Sequence, residues 1–282
     1  MQLQAEYKLE KDRIARSFAS AARSYDAYAS LQRSIADNLM ASILTGFSVH
    51  EKANNADSMQ VNVQRILDLG SGTGYSTKAL HRLFPAAEIV SLDIAQAMLM
   101  YAREQHTDAD CNEKYICADA EALPFNPNSF DLIFSSLSIQ WCQNYSELFS
   151  ELQRVLRPSR EIHIATFGPE TLQELKQAWQ EVDAFVHVNR FQSDLTLRFE
   201  LENNAFRKVE SRTENLLVYY RSFEELSREL KSIGAHNMNQ GQGHGLSGRG
   251  KISRVKAAFE KESLPEAGVP VTYQVYYFRA QL

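Results

Sequence analysis

Between residues 65 and 167 the chain alternates short apolar runs with longer amphipathic ones, and this alternation predicts a doubly wound α/β fold with helices on both faces of a parallel sheet. Two further observations agree. The first apolar run ends in a glycine-rich turn, and acidic residues follow the next two runs, as expected where a ligand lies across the strand ends of such a sheet.

The elements follow in order. Residues 8–47 carry Ile14, Phe18, Ala21, Ala22, Tyr25, Leu31, Ile35, Leu39 and Ile43 near helical spacing and form a helical leader. Residues 48–63 have no period and read as a loop. RILDLG, EIVSLD, KYICAD, FDLIFSS and EIHIATF read as strands, with TKALHRLF, AQAMLMYAREQ and YSELFSELQRVL as helices between them. After Phe167 a helix is expected in TLQELKQAWQEVDAF and another in RSFEELSRELKSIGA. NLLVYY and VTYQVYYFRA are rich in residues suited to a pleated sheet and are expected to complete it antiparallel. Residues 234–250 read as a Gly-rich loop. The expected organisation is an N-terminal helical lid and linker over residues 1–63, then one domain over 64–282 with a helical cap mainly at 168–212.

Composition narrows the function classes. At 282 residues, with 44% hydrophobic and 23% charged residues, the chain suits one large domain. A net charge of -5 argues against a nucleic-acid partner. Cys111, Cys117 and Cys142 lack CxxC spacing, and the seven histidines lack HExxH, so neither a disulfide framework nor a metal is expected. No signal-type or membrane-spanning apolar stretch is present, which predicts a cytoplasmic protein without a membrane partner. GLSGRGK at 245–251 approaches a phosphate-binding loop, but Ile252 replaces the required hydroxyl and no strand feeds it. No Ser nucleophile stands in GxSxG.

The chemistry concentrates at Ile66–Gly74, ILDLGSGTG. A dinucleotide fingerprint would place its third glycine at position 75, where Tyr75 stands; here it falls at Gly74. The run resembles motif I of class I S-adenosylmethionine-dependent methyltransferases, which implies S-adenosylmethionine as the cofactor and a Rossmann-like, mostly parallel sheet with an antiparallel C-terminal strand. Asp93, about 20 residues on, is placed to accept both ribose hydroxyls. By the same resemblance Asp119 and the Ala120 backbone recognise adenine. The expected cofactor contacts are Asp68, Gly70, Ser71, Gly72, Gly74, Asp93, Ile94, Asp119, Ala120 and Ser135.

Further segments sharpen the resemblance. FASAARSYDAYASLQ, SLSIQWC, QAWQEVDAFVHVNRF, GHGLSGR and PVTYQVYYF look like the malonyl-[acyl-carrier protein] O-methyltransferases of biotin synthesis, over nearly the whole chain. RPSRE departs from the usual Gly after Pro, and residues 48–63 are a polar insertion. The resemblance implies methylation of the free malonyl carboxylate on an acyl carrier protein. A carboxylate of reference pKa about 4 is ionised near neutrality, so no catalytic base is expected. Tyr25, Gln140, Trp141, His187 and Arg190 are the candidate substrate contacts, with the Arg190 guanidinium suited to a carboxylate. Each also has a structural reading, as core packing or an internal ion pair. Arg249 and Lys251 are candidates for docking an acidic carrier, equally readable as a solvated helix face. Two other readings fit the cofactor half alone: a methyltransferase of quinones or other small molecules, and a non-catalytic S-adenosylmethionine-binding protein.

Overall fold

A computed structural model describes residues 10–45, 63–106, 112–235 and 249–282. Five strands run parallel: β1 (Arg65–Leu69), β2 (Glu88–Asp93), β3 (Glu113–Cys117), β4 (Phe130–Ser136) and β5 (Leu156–Phe167). Two more, β6 (Arg207–Tyr220) and β7 (Val269–Gln281), complete a seven-stranded sheet of order β3-β2-β1-β4-β5-β7-β6. β7 is antiparallel to both its neighbours. The order reverses at β1, between β2 and β4, and a crevice opens there at the carboxyl ends of the strands.

The helices between parallel strands are α4 (Tyr75–Leu83), α5 (Gln96–Gln105) and α6 (Tyr145–Val155). β1 and β4 are buried along nearly their whole length because both faces are covered. On one face Leu148, Phe149, Leu152 and Val155 of α6 pack against Leu67, Val90 and Ile133. The other face receives a helix from the leader.

That leader is three helices, α1 (Lys11–Ala21), α2 (Tyr25–Tyr28) and α3 (Ser30–Thr45). Ile35 and Leu39 of α3 are fully buried against Ile66, Leu132, Phe134 and Tyr277. Such burial is worth about 1.5–3 kcal/mol per side chain. The Ser42 hydroxyl also lies 3.2 Å from Nδ1 of buried His163 on β5. α3 is therefore part of the core, whereas α1 lies across the strand ends, its Ala21 packed with Ala95 and Met98 at the start of α5.

The expected cap contains α7 (Gln173–Gln180) and α8 (Asp194–Asn203). α9 (Phe223–Ser232) and α10 (Arg249–Phe259) follow β6. Leu172, Leu175 and Ala178 join Phe223, Leu226, Val255, Phe259 and the β7 residues Val271 and Tyr273 in one apolar cluster. Two expectations change. β6 begins at Arg207, well before NLLVYY, so the cap region 168–212 includes its first residues. Residues 249–250 begin a helix and do not continue the Gly-rich loop. The loop expected at 48–63, Cys111, and most of GHGLSGR lie outside the described residues. Among those described, no helix is long and apolar enough to cross a membrane, and no His/Cys/Asp/Glu group is arranged to hold a metal.

Candidate active site

The glycine turn is built by close approach. Gly70 has φ +72°, and a Cβ there would stand 2.1 Å from Ser138 Cβ. The N–H groups of Gly70 and Ser71 donate to the Leu92 carbonyl at 2.7 and 3.0 Å, tying the turn to the end of β2. Gly74, at φ +83°, caps α4, where a side chain would strike His106 at 2.8 Å. Behind the turn Thr77 donates to buried Asp68 at 2.6 Å, and the chain of contacts continues through Ser91 to Glu113 and His106. Burial pushes the Asp68 carboxyl up to about 7, with the Thr77 hydrogen bond opposing the shift.

In front of the turn lies a cavity lined by Gly70, Gly72, Asp93, Ile94, Asp119 and Ala120, among others. One Asp93 oxygen accepts from Gly72 N–H at 3.0 Å and the other from Ala95 N–H at 2.8 Å. Burial pushes this carboxyl up to about 6, against the pull of those N–H donors. At the far end the Lys11 ammonium reaches from α1 to Asp119 at 2.5 Å and Glu121 at 2.6 Å. Ile14 and Phe18 of the same helix line the cavity as well.

A second cavity shares Phe18, Tyr25, Leu137 and Trp141 with the first, so the two meet at these four side chains. Phe18 and Trp141 stand edge-to-face at 5.2 Å. The second cavity is walled mainly by aromatic and aliphatic groups, and no Asp, Glu, Lys or Arg is among its described lining residues. Its polar groups include Gln32, Gln140, Asn189 and His187. Gln140 is buried, donating to the Leu137 carbonyl at 2.7 Å and accepting from Thr166 at 3.2 Å. His187 stacks on Trp179 at 3.5 Å and contacts Asp183 at 2.6 Å. Lys251 donates to the other Asp183 oxygen at 3.1 Å, joining α10 to this rim. The Tyr25 hydroxyl is pushed up by burial and by Asp93 and Asp26, and is a neutral donor at ordinary pH.

The sequence candidates divide. Gly70, Gly72, Asp93, Ile94, Asp119 and Ala120 line the first cavity; Tyr25 and Trp141 line both; Gln140 and His187 line the second. Asp68, Gly74 and Ser135 line neither and shape the turn from behind. The Ser135 hydroxyl donates to the Leu69 carbonyl at 3.0 Å, which explains its burial; its neighbour Ser136 lines the first cavity. Ser71 lines a small recess that adjoins the first cavity at Gly70 and Gly72. Arg190 is exposed and lines no described cavity, because the backbone turns Val188 and Asn189 inward instead. Arg249 opens α10, with its side chain outside the described residues. Lys11 and Trp179 had no signal in the sequence beyond helical position.

Residues 67–164 match the model of the methyltransferase domain. The chain is 41% identical over 95% of its length to the biotin biosynthesis bifunctional protein BioHC of Cellvibrio japonicus, of which it spans 50%. It thus covers about half the length of that two-activity relative. It is 34% identical, over 98% of its own length and 92% of the relative's, to the malonyl-[acyl-carrier protein] O-methyltransferase of Gallionella capsiferriformans. The chain belongs to the malonyl-[acyl-carrier protein] O-methyltransferase family. The YcgJ protein of a Bacillus shares this family's fold, superposing with a TM-score of 0.56 at 16% identity over 77% of this chain and 91% of its own. In this member of the O-methyltransferase family, the matched methyltransferase domain supplies β1 to β5 and hence the carboxylate-lined cavity. Most of the second cavity's walls come from segments outside that match.

Proposed function

We propose that this chain transfers a methyl group from S-adenosylmethionine to the free carboxylate of a malonyl thioester held on an acyl carrier protein, in biotin synthesis. It acts in the cytoplasm, with no nucleic-acid or membrane partner. One observation carries the reading beyond family membership: a cavity furnished with Asp93 and Asp119 opens, at Tyr25 and Trp141, into one without a charged carboxylate or ammonium group among its described walls.

The first cavity suits the nucleoside. Asp93 spends one lone pair of each oxygen on a backbone N–H, which leaves lone pairs for two ribose hydroxyls. Asp119 and Ala120 meet the adenine edge. When bound, S-adenosylmethionine supplies an electrophilic methyl group on a sulfonium centre.

The second cavity has to present an anion without quenching it. A malonyl carboxylate is ionised near neutrality and needs no base. A guanidinium paired with both oxygens would hold the attacking lone pair away from the methyl carbon. Neutral donors orient it at smaller cost, the Tyr25 hydroxyl and the Gln140 amide, with the His187 ring beside them in the wall. The aromatic walls, Trp141 foremost, exclude water that would solvate the nucleophile, and alignment of oxygen, carbon and sulfur supplies the rest of the acceleration. α1, over the first cavity, acts as the lid of the N-terminal segment 1–63, and the 168–212 segment acts as the cap. Lys251, at the rim beyond Asp183, docks the acidic carrier together with Arg249 at the start of the same helix.

The test is incubation with methyl-labelled S-adenosylmethionine and malonyl carrier. Label released as methanol by mild alkali is the expected result; an alkali-stable label overturns carboxyl methylation. Methylation of quinone precursors, or binding without turnover, would identify the other two activities.

A further inference from the structure

Residues 181–193 form no helix or strand, yet they supply His187, Val188, Asn189 and Phe191 to the wall of the second cavity. An irregular stretch has no backbone ladder to fix it, so side-chain contacts must set where those residues stand. Asp183, near the start of the stretch, makes such contacts on both of its oxygens. One accepts from the Phe185 N–H at 3.1 Å and lies 2.6 Å from His187 Nε2; the other accepts from Lys251 of α10 at 3.1 Å.

Burial pushes the Asp183 carboxyl up, but His187, the Phe185 N–H and Lys251 more than offset this and hold it below its ordinary value. It is therefore ionised near neutrality and can only accept, so His187 Nε2 carries the hydrogen that points at it. That bond fixes the imidazole plane, which lies against Trp179 at 3.5 Å and 10° from parallel. Trp179 and His187 both line the second cavity, and Asp183 stands outside its lining. The Asp183 and His187 side chains are each 11% exposed, whereas that of Lys251 is 40% exposed, its ammonium 5.6 Å from the Phe185 ring centre. The ammonium is thus the outer end of a chain of contacts that runs from α10 through Asp183 and His187 to Trp179.

We infer that Asp183 is a positioning residue for the acceptor: it sets the His187–Trp179 wall of the second cavity and, through Lys251, ties that wall to α10. The inference rests on the proposed methylation of a malonyl thioester, whose malonyl group occupies this cavity. It goes beyond the docking of a carrier. Losing the Lys251 ammonium leaves a mostly buried carboxylate short of counter-charge. The His187 and Phe185 donors lie on the irregular stretch itself, so the wall shifts even when no carrier is present.

The experiment compares two acceptors on the full chain: malonyl carrier, and malonyl-pantetheine, which has no protein to rest on α10. Asp183→Ala is expected to lower kcat/KM for malonyl-pantetheine about 10- to 30-fold, as for loss of a hydrogen bond to a charged group. S-adenosylhomocysteine affinity, measured by calorimetry, should stay within about twofold. Asp183→Asn keeps an acceptor oxygen for His187 and should restore kcat/KM to within about fivefold of wild type. Lys251→Met should lower it about three- to fivefold, and should add nothing to Asp183→Ala in the double variant. A Lys251→Met effect confined to malonyl carrier would make the ammonium a docking cation alone and overturns the tie to α10. Equal losses of acceptor turnover and S-adenosylhomocysteine affinity in Asp183→Ala overturn the positioning role. Trp179 gives a readout without turnover: the emission that Trp179→Phe removes should move to longer wavelength in Asp183→Ala as the stack opens to water. Unmoved emission overturns the assignment. A wild-type chain that methylates neither acceptor, with that shift intact, overturns the malonyl reading instead, a different failure.

Discussion

The two cavities that meet at Tyr25 and Trp141 are furnished in opposite ways. In the first cavity stand Asp93, Asp119, Glu121 and Lys11; the described walls of the second carry no Asp, Glu, Lys or Arg. Under the proposed function the contrast follows from the tasks. A cofactor is recognised by many directional hydrogen bonds, and charged acceptors make the strongest of these. A carboxylate nucleophile must be held yet remain reactive, and any counter-charge that grips it lowers its reactivity. Under the proposed function, charge is used where nothing reacts and withheld where the bond forms.

Removing charge from the first cavity tests the contrast most severely. Asp93→Ala is expected to weaken S-adenosylmethionine by about 100-fold, as for two hydrogen bonds to a charged acceptor, with the KM for malonyl carrier little changed. Calorimetry with steady-state kinetics on the same preparation checks it; equal losses on both sides would mean that the cavities are not independent. Acidity reaches the same carboxylate. Because burial raises Asp93 to about 6, its ionised form is complete above that value and is lost as the pH falls through it. Cofactor affinity should drop by about tenfold per unit below pH 6, and a Kd that is flat from pH 7 to 5 would remove Asp93 from ribose binding.

Adding charge to the second cavity is the converse. Ser227 is exposed and lines it, so Ser227→Glu places a carboxylate at the mouth of the cavity without disturbing the core. The KM for malonyl carrier should rise about five- to tenfold by like-charge repulsion, with cofactor affinity unchanged. The smallest effect is expected at Arg190. It lines neither cavity, and Arg190→Ala should leave the KM for malonyl carrier within about twofold. A rise of tenfold or more would return a guanidinium to the substrate and break the contrast.

How much of this was legible in the sequence varied with the kind of signal. The parallel strands, the glycine turn and Asp93 follow from local pattern, because a buried strand and a tight turn each dictate residue types in sequence. Side-chain direction was not legible where both faces of a strand are buried: in FDLIFSS alternation carries no information, and Ser135 and Ser136 point opposite ways. β6 was read short because its first half, RKVESRTE, lies on the edge of the sheet with mixed exposure and shows no apolar run. Arg190 sits in an irregular stretch without a period, where charge and position alone do not say which way a side chain turns. Lys11 meets Asp119 across 108 residues of sequence, a pairing that no local rule anticipates.

The place of β7 in the sheet has a consequence for the order in which the molecule can assemble. β6 pairs with β7 and with no other described strand, and β7 also supplies the second neighbour of β5. While the chain is being synthesised, β6 has no strand to bind until residues 269–281 emerge, and Leu217 and Tyr219 on it stay exposed even afterwards. The nascent protein thus passes through an interval with the outer edge of β5 open and β6 unpaired on both edges, the condition under which intermolecular pairing competes with folding. Tyr273, a wall of the second cavity, arrives on that same strand. Completion of the sheet and of the second cavity are one event, so a chain stalled before β7 has the strands that carry the first cavity but, under the proposed function, no finished place for the acceptor.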